Sequence, residues 1–269
     1  MNKTLLQHLA RGLLPLILAA CATTGGAQLT GVEERSARLA KAEAMFAERC
    51  KKAGVFVHRT AENVEGIFLM KIRPNEINYG DQYKMDDPYG RDLGGQGYIE
   101  SFARGSFQAN NRGPLNPGSP AYQGYRYDEA VDPKDGKRYR YTGRIDEPWR
   151  YDTSYSKTYK RFVLDKVPAP GAMPRYGVTY DDISTREERD YWIAGSSLKV
   201  VDLQTNEVMA ERIGYMIDRG QGDRGGGRSP WLFAADNACP EFSRRQGARA
   251  QQRQAQVFVE RALNPIVEN

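Results

Sequence analysis

Two β-rich runs, residues 191–201 and 208–217, lie one short turn apart and commit the chain to an antiparallel hairpin. The link between them, Asp202-Leu203-Gln204-Thr205-Asn206-Glu207, offers the Asp, Thr and Asn side chains that such connections use. A lone hairpin is marginal in water, so it needs further strands beside it and an apolar layer against one face. Residues 55–60, 64–72, 137–145, 158–166 and 175–180 are candidates for those strands, being rich in β-branched and apolar side chains or alternating in pattern. Residues 98–103 read as one more short strand. Asp132-Pro133-Lys134-Asp135-Gly136-Lys137 reads as a turn, with Pro fixing one φ and Asp-Gly supplying a positive one.

Helices frame this sheet. In residues 32–53 the apolar positions Leu39, Ala42, Phe46, Cys50 and Ala53 recur every three or four residues. Thr30 stands where a cap belongs, Glu33 and Glu34 occupy the first turn, and Gly54 suits the stop. A second helix over residues 241–263 follows Pro240, with Phe242, Ala255, Val259 and Ala262 roughly on one face. Residues 79–130 and 219–229 are dense in Gly, with Tyr, Pro and Asn or with Arg, and read as long loops. There is no internal repeat. The expected fold is α+β: an antiparallel sheet of about six to eight strands, an N-terminal and a C-terminal helix, and long loops in the middle. Residues 32–269 form a single domain in this reading.

The first twenty residues stand apart from that fold. Lys3 and Arg11 make the start basic, with no acid before the apolar run of residues 13–20. That run is far short of the about 20 apolar residues that span a bilayer. A basic start, a short apolar run and small residues at its end read as a secretory signal. Its last residues, Leu18-Ala19-Ala20-Cys21, resemble the lipobox of bacterial lipoproteins. The resemblance covers residues 1–21 only. It implies that residues 1–20 are a signal peptide and that the Cys21 thiol takes a diacylglyceryl group. A peptidase then cuts before Cys21, and the freed amine is acylated with a fatty acid such as palmitate. Three acyl chains, at about 0.8 kcal/mol per buried methylene, fix a protein to its membrane. Ala22, where Asp would favour the inner membrane, points to the outer membrane with the domain in the periplasm; the inner membrane and the cell surface stay open. Residues 22–31 then form a tether reaching about 35 Å when extended. The competing reading is an ordinary secretory signal with a chance Cys.

Further expectations rest on that resemblance. With Cys21 lipidated, Cys50 and Cys239 remain as an even pair in a compartment that permits disulfides. They are expected to bond and to join the two helices; two buried free thiols are the alternative. Loss of Lys3 and Arg11 with the signal lowers the formal charge from +5 to +3. That balance does not call for nucleic acid.

Motifs with catalytic spacing are weak. Ser196-Ser197-Leu198-Lys199 and Ser154-Tyr155-Ser156-Lys157 match Ser-x-x-Lys. The first lies in an expected strand, where positions three apart face opposite ways, and the second lacks helix signals. His58 has no acid or nucleophile beside it in sequence. Asp86-Asp87 and Asp181-Asp182 lack the alternating oxygen ligands of a calcium loop and read as turn or cap residues. No zinc spacing or phosphate-cradling loop occurs, so no metal and no cofactor is expected.

The aromatic pattern is the one departure. Of the 16 Tyr, 14 fall between Tyr79 and Tyr180, many beside Arg or Lys. Tyr and Arg are favoured at binding hot spots. Tyr125, Tyr127, Tyr139, Tyr141, Trp149 and Tyr151 are therefore candidates for a partner surface, against the alternative that Tyr merely fills strands. Two functional expectations follow. One is a lipid-anchored, non-catalytic module of the cell envelope that binds a protein or glycan partner or has a structural role. The other is an envelope-polymer hydrolase whose site is not visible in the sequence.

Overall fold

The computed structural model describes residues 23–87, 89–105, 124–242 and 251–266, with side chains from residue 31 on. Cys21 and the signal region lie outside the described residues. The chain divides into a unit up to Lys41 and a unit from Ala42 to Asn269. The first contributes the start of helix α1 (Thr23–Cys50). The helix thus begins well before its apolar stripe, and the expected tether is helical from Thr23. No Pro interrupts that stretch, and each Gly costs only about 1 kcal/mol against Ala.

In the second unit, short strands follow α1: β1 (Gly54–Val57), β2 (Ala61–Val64) and β3 (Gly66–Leu69). After α2 (Gly95–Arg104) come β4 (Tyr127–Val131), β5 (Arg138–Asp146), β6 (Arg161–Pro168) and β7 (Tyr176–Asp182). Helix α3 (Arg186–Asp190) precedes the long hairpin β8 (Ile193–Asp202) and β9 (Glu207–Ile217). The chain ends through α4 (Pro230–Ala234), β10 (Ala238–Cys239), α5 (Gln254–Val259) and β11 (Leu263–Pro265).

Nine of these strands form one sheet, ordered β1-β9-β8-β7-β3-β4-β5-β6, with β10 also on β9. It is mixed rather than antiparallel, because β3 runs parallel to both β4 and β7. Parallel neighbours need a long crossover. Fifty-seven residues, including α2, separate β3 from β4 and provide one. β2 pairs outside this sheet, with β11.

One face of the sheet presents Ile67, Leu69, Val178, Tyr180, Leu198 and Val200 to a core shared with Tyr98 and Phe102 of α2 and Phe258 and Val259 of α5. On the other face, Ile193, Tyr215 and Ile217 cluster with Ala42 and Phe46 of α1. Residues 98–103, expected as a strand, lie in α2: Tyr98, Ile99, Phe102 and Ala103 are buried at helical spacing, the wrong period for a strand. The expected C-terminal helix is also revised. Residues 241–242 are not helical, residues 243–250 lie outside the described set, and only Gln254–Val259 is helix before the chain turns into β11.

Cys50 and Cys239 form a disulfide, with Cα atoms 5.6 Å apart. It joins the end of α1 to β10, not helix to helix.

Candidate functional site

β4 pairs with β5 only as far as Tyr141, whereas β5 and β6 stay paired from Tyr139↔Pro168 out to Asp146↔Arg161. Beyond Tyr141, among the described residues, the β5–β6 hairpin therefore continues as a two-stranded arm closed by residues 147–160. Gly143 leaves room in this arm for an aromatic ring. A Cβ on Gly143 would stand 2.2 Å from the Phe162 ring, which crosses the strand there.

Charge and aromatic rings collect on the hairpin. Residues 137–168 carry nine Lys or Arg against four Asp or Glu, a balance of +5. Two of its carboxylates are each shared among several donors. Asp146 accepts from Arg161 at 2.7 Å and from the Tyr151 hydroxyl at 2.6 Å, with Arg144 at 3.7 Å. Glu147 holds both Lys160, at 3.1 Å, and Arg150. Hydrogen bonds from Tyr151 and Lys160 respectively, and the guanidiniums beside them, hold both carboxyls below their ordinary range.

The six aromatic residues singled out by sequence separate into two groups. Tyr125 and Tyr141 are buried in the core, and Tyr125 donates to the Leu263 carbonyl at 2.7 Å. They do not belong to a surface: Tyr125, just before β4, and Tyr141, on β5, both pack in the core cluster with Tyr98 and Phe102 of α2. Tyr127 is half-buried and packs over Gly66, where a Cβ would come within 2.3 Å of its ring, with the Arg140 guanidinium 3.8 Å above it. Tyr139 is half-buried beneath Lys166, with its hydroxyl on Asp135 at 2.6 Å. Trp149 is half-buried with Arg150 5.3 Å over its ring, and Tyr151 is 67% exposed. The sequence reading missed Tyr155 and Tyr159, which stack at 5.3 Å with 20° between their planes. Their spacing was the available clue, since Tyr151, Tyr155 and Tyr159 recur every four residues.

The catalytic-looking motifs resolve differently. Ser196 is buried and donates to Asp87, while Arg212 donates to Ser196 at 3.1 Å. Lys199 is on the opposite face, 3.5 Å from Asp181 and 3.8 Å from Glu211. Ser154 and Lys157 are exposed in the hairpin loop, and His58 is exposed after β1. Arg73, 3.9 Å from Asp87, also donates to the Asp87 carbonyl at 3.2 Å and to Asn78 at 3.1 Å. Arg73, Asp87, Ser196 and Arg212 are all at most 4% exposed. This network satisfies carbonyls of the buried loop between β3 and α2, a structural duty for groups that water cannot reach. Among the described residues no three His, Cys, Asp or Glu side chains come together to hold a metal ion, and no helix is long and apolar enough to cross a membrane.

Comparison of the chain with protein-family models, with curated proteins and with solved structures returns no match.

Proposed function

We propose that this protein is a lipid-anchored component of the cell envelope, held by Cys21, whose domain acts as a non-catalytic binding module through the outer β5–β6 hairpin. The carrying observation is the coincidence on that hairpin of the chain's net positive charge with its exposed rings, Tyr151 and Tyr155. Exposed aromatic side chains with Arg close by are the composition of binding hot spots. The motif residues with catalytic spacing support the non-catalytic part of the reading, because Ser196 is enclosed and Lys199 faces away from it. A photo-crosslinking amino acid placed at exposed Thr153 in intact cells tests the surface. It should capture an envelope component, and Tyr151→Ala with Tyr155→Ala should reduce that capture about fivefold or more, the equivalent of over 1 kcal/mol. Absence of any adduct, or an adduct indifferent to both substitutions, would overturn the reading.

A further inference from the structure

We infer that the partner of the hairpin is an acidic polysaccharide, whose sugar faces stack on the exposed tyrosines while its anionic groups meet the surrounding Lys and Arg. This inference rests on the hairpin being the contact surface, and it adds the chemistry of what is held there.

Three observations converge on this class. The first is charge. The hairpin's nine cations exceed its four carboxylates. Asp146 is engaged by Arg161, Arg144 and Tyr151, Glu147 by Arg150 and Lys160, and Asp165 by Arg144 at 2.7 Å, while Asp152 accepts from the Ser154 amide at 2.9 Å. Of the cations, Arg138 and Arg140 pair with Glu129 and Lys166 with Asp132, which leaves the surplus toward the loop end of the hairpin. Lys157 is exposed and pairs with no carboxylate among the described residues. Electrostatic complementarity favours an anionic ligand at that end.

The second is the state of the rings. The Tyr151 hydroxyl is fixed at both ends, donating to Asp146 at 2.6 Å and accepting from Arg161 at 3.0 Å, while the residue stays 67% exposed. Tyr155 and Tyr159 brace one another by stacking. Rings held in place lose little entropy when a ligand settles on them. The electron-rich face of such a ring attracts the partly positive C–H groups that line one side of a pyranose.

The third separates a sugar from a bilayer or an apolar protein patch. Over residues 137–168 the large hydrophobic side chains that stand exposed are Tyr151 and Tyr155 in the loop, and Val167 at the end of β6 away from that loop. A segment that inserts into lipid presents apolar side chains beside its cations, and the loop end of this hairpin presents hydroxylated rings instead.

The test uses the full-length protein in detergent, run through native gels containing alginate, a polymer of uronic acids, or uncharged dextran. A parallel flotation assay uses vesicles rich in phosphatidylglycerol. Alginate should retard the protein and dextran should not. Retardation should weaken about fivefold or more with Tyr155→Ala, with Tyr151→Ala, and with the pair Arg150→Gln and Lys157→Gln. Tyr151→Phe, which keeps the ring, should bind alginate better than Tyr151→Ala. The polysaccharide assignment fails if alginate does not retard the protein, if the Tyr→Ala variants run as the parent does, or if vesicles bind with the same Tyr dependence. In each case the crosslink at Thr153 separates the two readings. An adduct to an envelope protein or lipid keeps the hairpin as contact surface and discards the polysaccharide, whereas no adduct discards both.

Discussion

Asp128 on β4 is wholly buried, and neither carboxylate oxygen has a hydrogen-bond partner. Burial pushes its carboxyl well above the ordinary range. A carboxyl that keeps its proton in the fold but loses it when unfolded makes stability fall as pH rises above the unfolded value near 4, by up to about 1.4 kcal/mol per pH unit, until the folded group also titrates. Asp128→Asn cannot ionise. Its unfolding free energy in urea should match the parent near pH 4 and exceed it near pH 7; a constant difference across that range would contradict the burial argument. Asp202 has the opposite sign. Arg175, at 2.8 Å, and Arg59, at 2.7 Å, donate to it and hold its carboxyl at about 2. Its contribution is present above the unfolded value and is lost as pH falls toward 2. Asp202→Asn should therefore cost about 1–2 kcal/mol at neutral pH, a difference that shrinks in acid. At this scale the sequence had little to say. Asp87 and Ser196 meet across 109 positions, and no local pattern marks such a pair. Likewise Tyr125 and Tyr151 look alike in composition, yet one is core and the other surface, because Tyr125 meets the distant Leu263 while Tyr151 lies in the loop between β5 and β6, and neither placement is a local pattern.

Elements read more clearly where their pattern is long and uniform. The hairpin β8–β9 appears within two residues of its expected bounds because both runs are β-rich and the turn residues agree with them. α2 was misread from a six-residue window, in which a short apolar run suits helix or strand equally. The parallel position of β3 had no local signal at all, since its partners lie 57 and more residues downstream. Two predictions belong to this scale. Gly143→Ala puts a methyl group where the tip of the half-buried Phe162 ring lies, so the ring must turn aside, at a cost of about 0.5–1.5 kcal/mol for an off-rotamer side chain. Hydrogen exchange in β5 and β6 should accelerate while that in β8 and β9 stays unchanged. Replacing Cys50 and Cys239 together by Ser should lower stability by about 2–5 kcal/mol, read as a shifted urea midpoint, because their bond closes a loop of 189 positions. An unchanged midpoint would mean that the tie between α1 and β10 constrains nothing in the unfolded chain.

Across the whole molecule, charge is unevenly distributed: outside residues 137–168 the Lys and Arg only balance the Asp and Glu, and once Lys3 and Arg11 leave with the signal the acids there are in excess by two. Capture through the hairpin should accordingly weaken as salt rises, since exposed charges are screened over about 10 Å at 0.1 M ionic strength. Location is tested separately. Cys21→Ser should abolish labelling by an alkyne fatty acid and leave unprocessed or soluble protein, and normal membrane retention of that variant would remove the anchor from the account. The sheet also imposes a schedule on biosynthesis. Phe56 of β1 pairs with Glu211 of β9, 155 positions later. At about 5–20 residues per second, a ribosome delivers that partner roughly ten to thirty seconds after β1 itself. Throughout the interval Val55, Phe56 and Val57 form an apolar strand with nothing to pair with, the kind of segment that seeks another chain. The native partner of β1 is complete only once residue 217 has emerged, and a fragment ending before Glu207 has no native place to put its first strand.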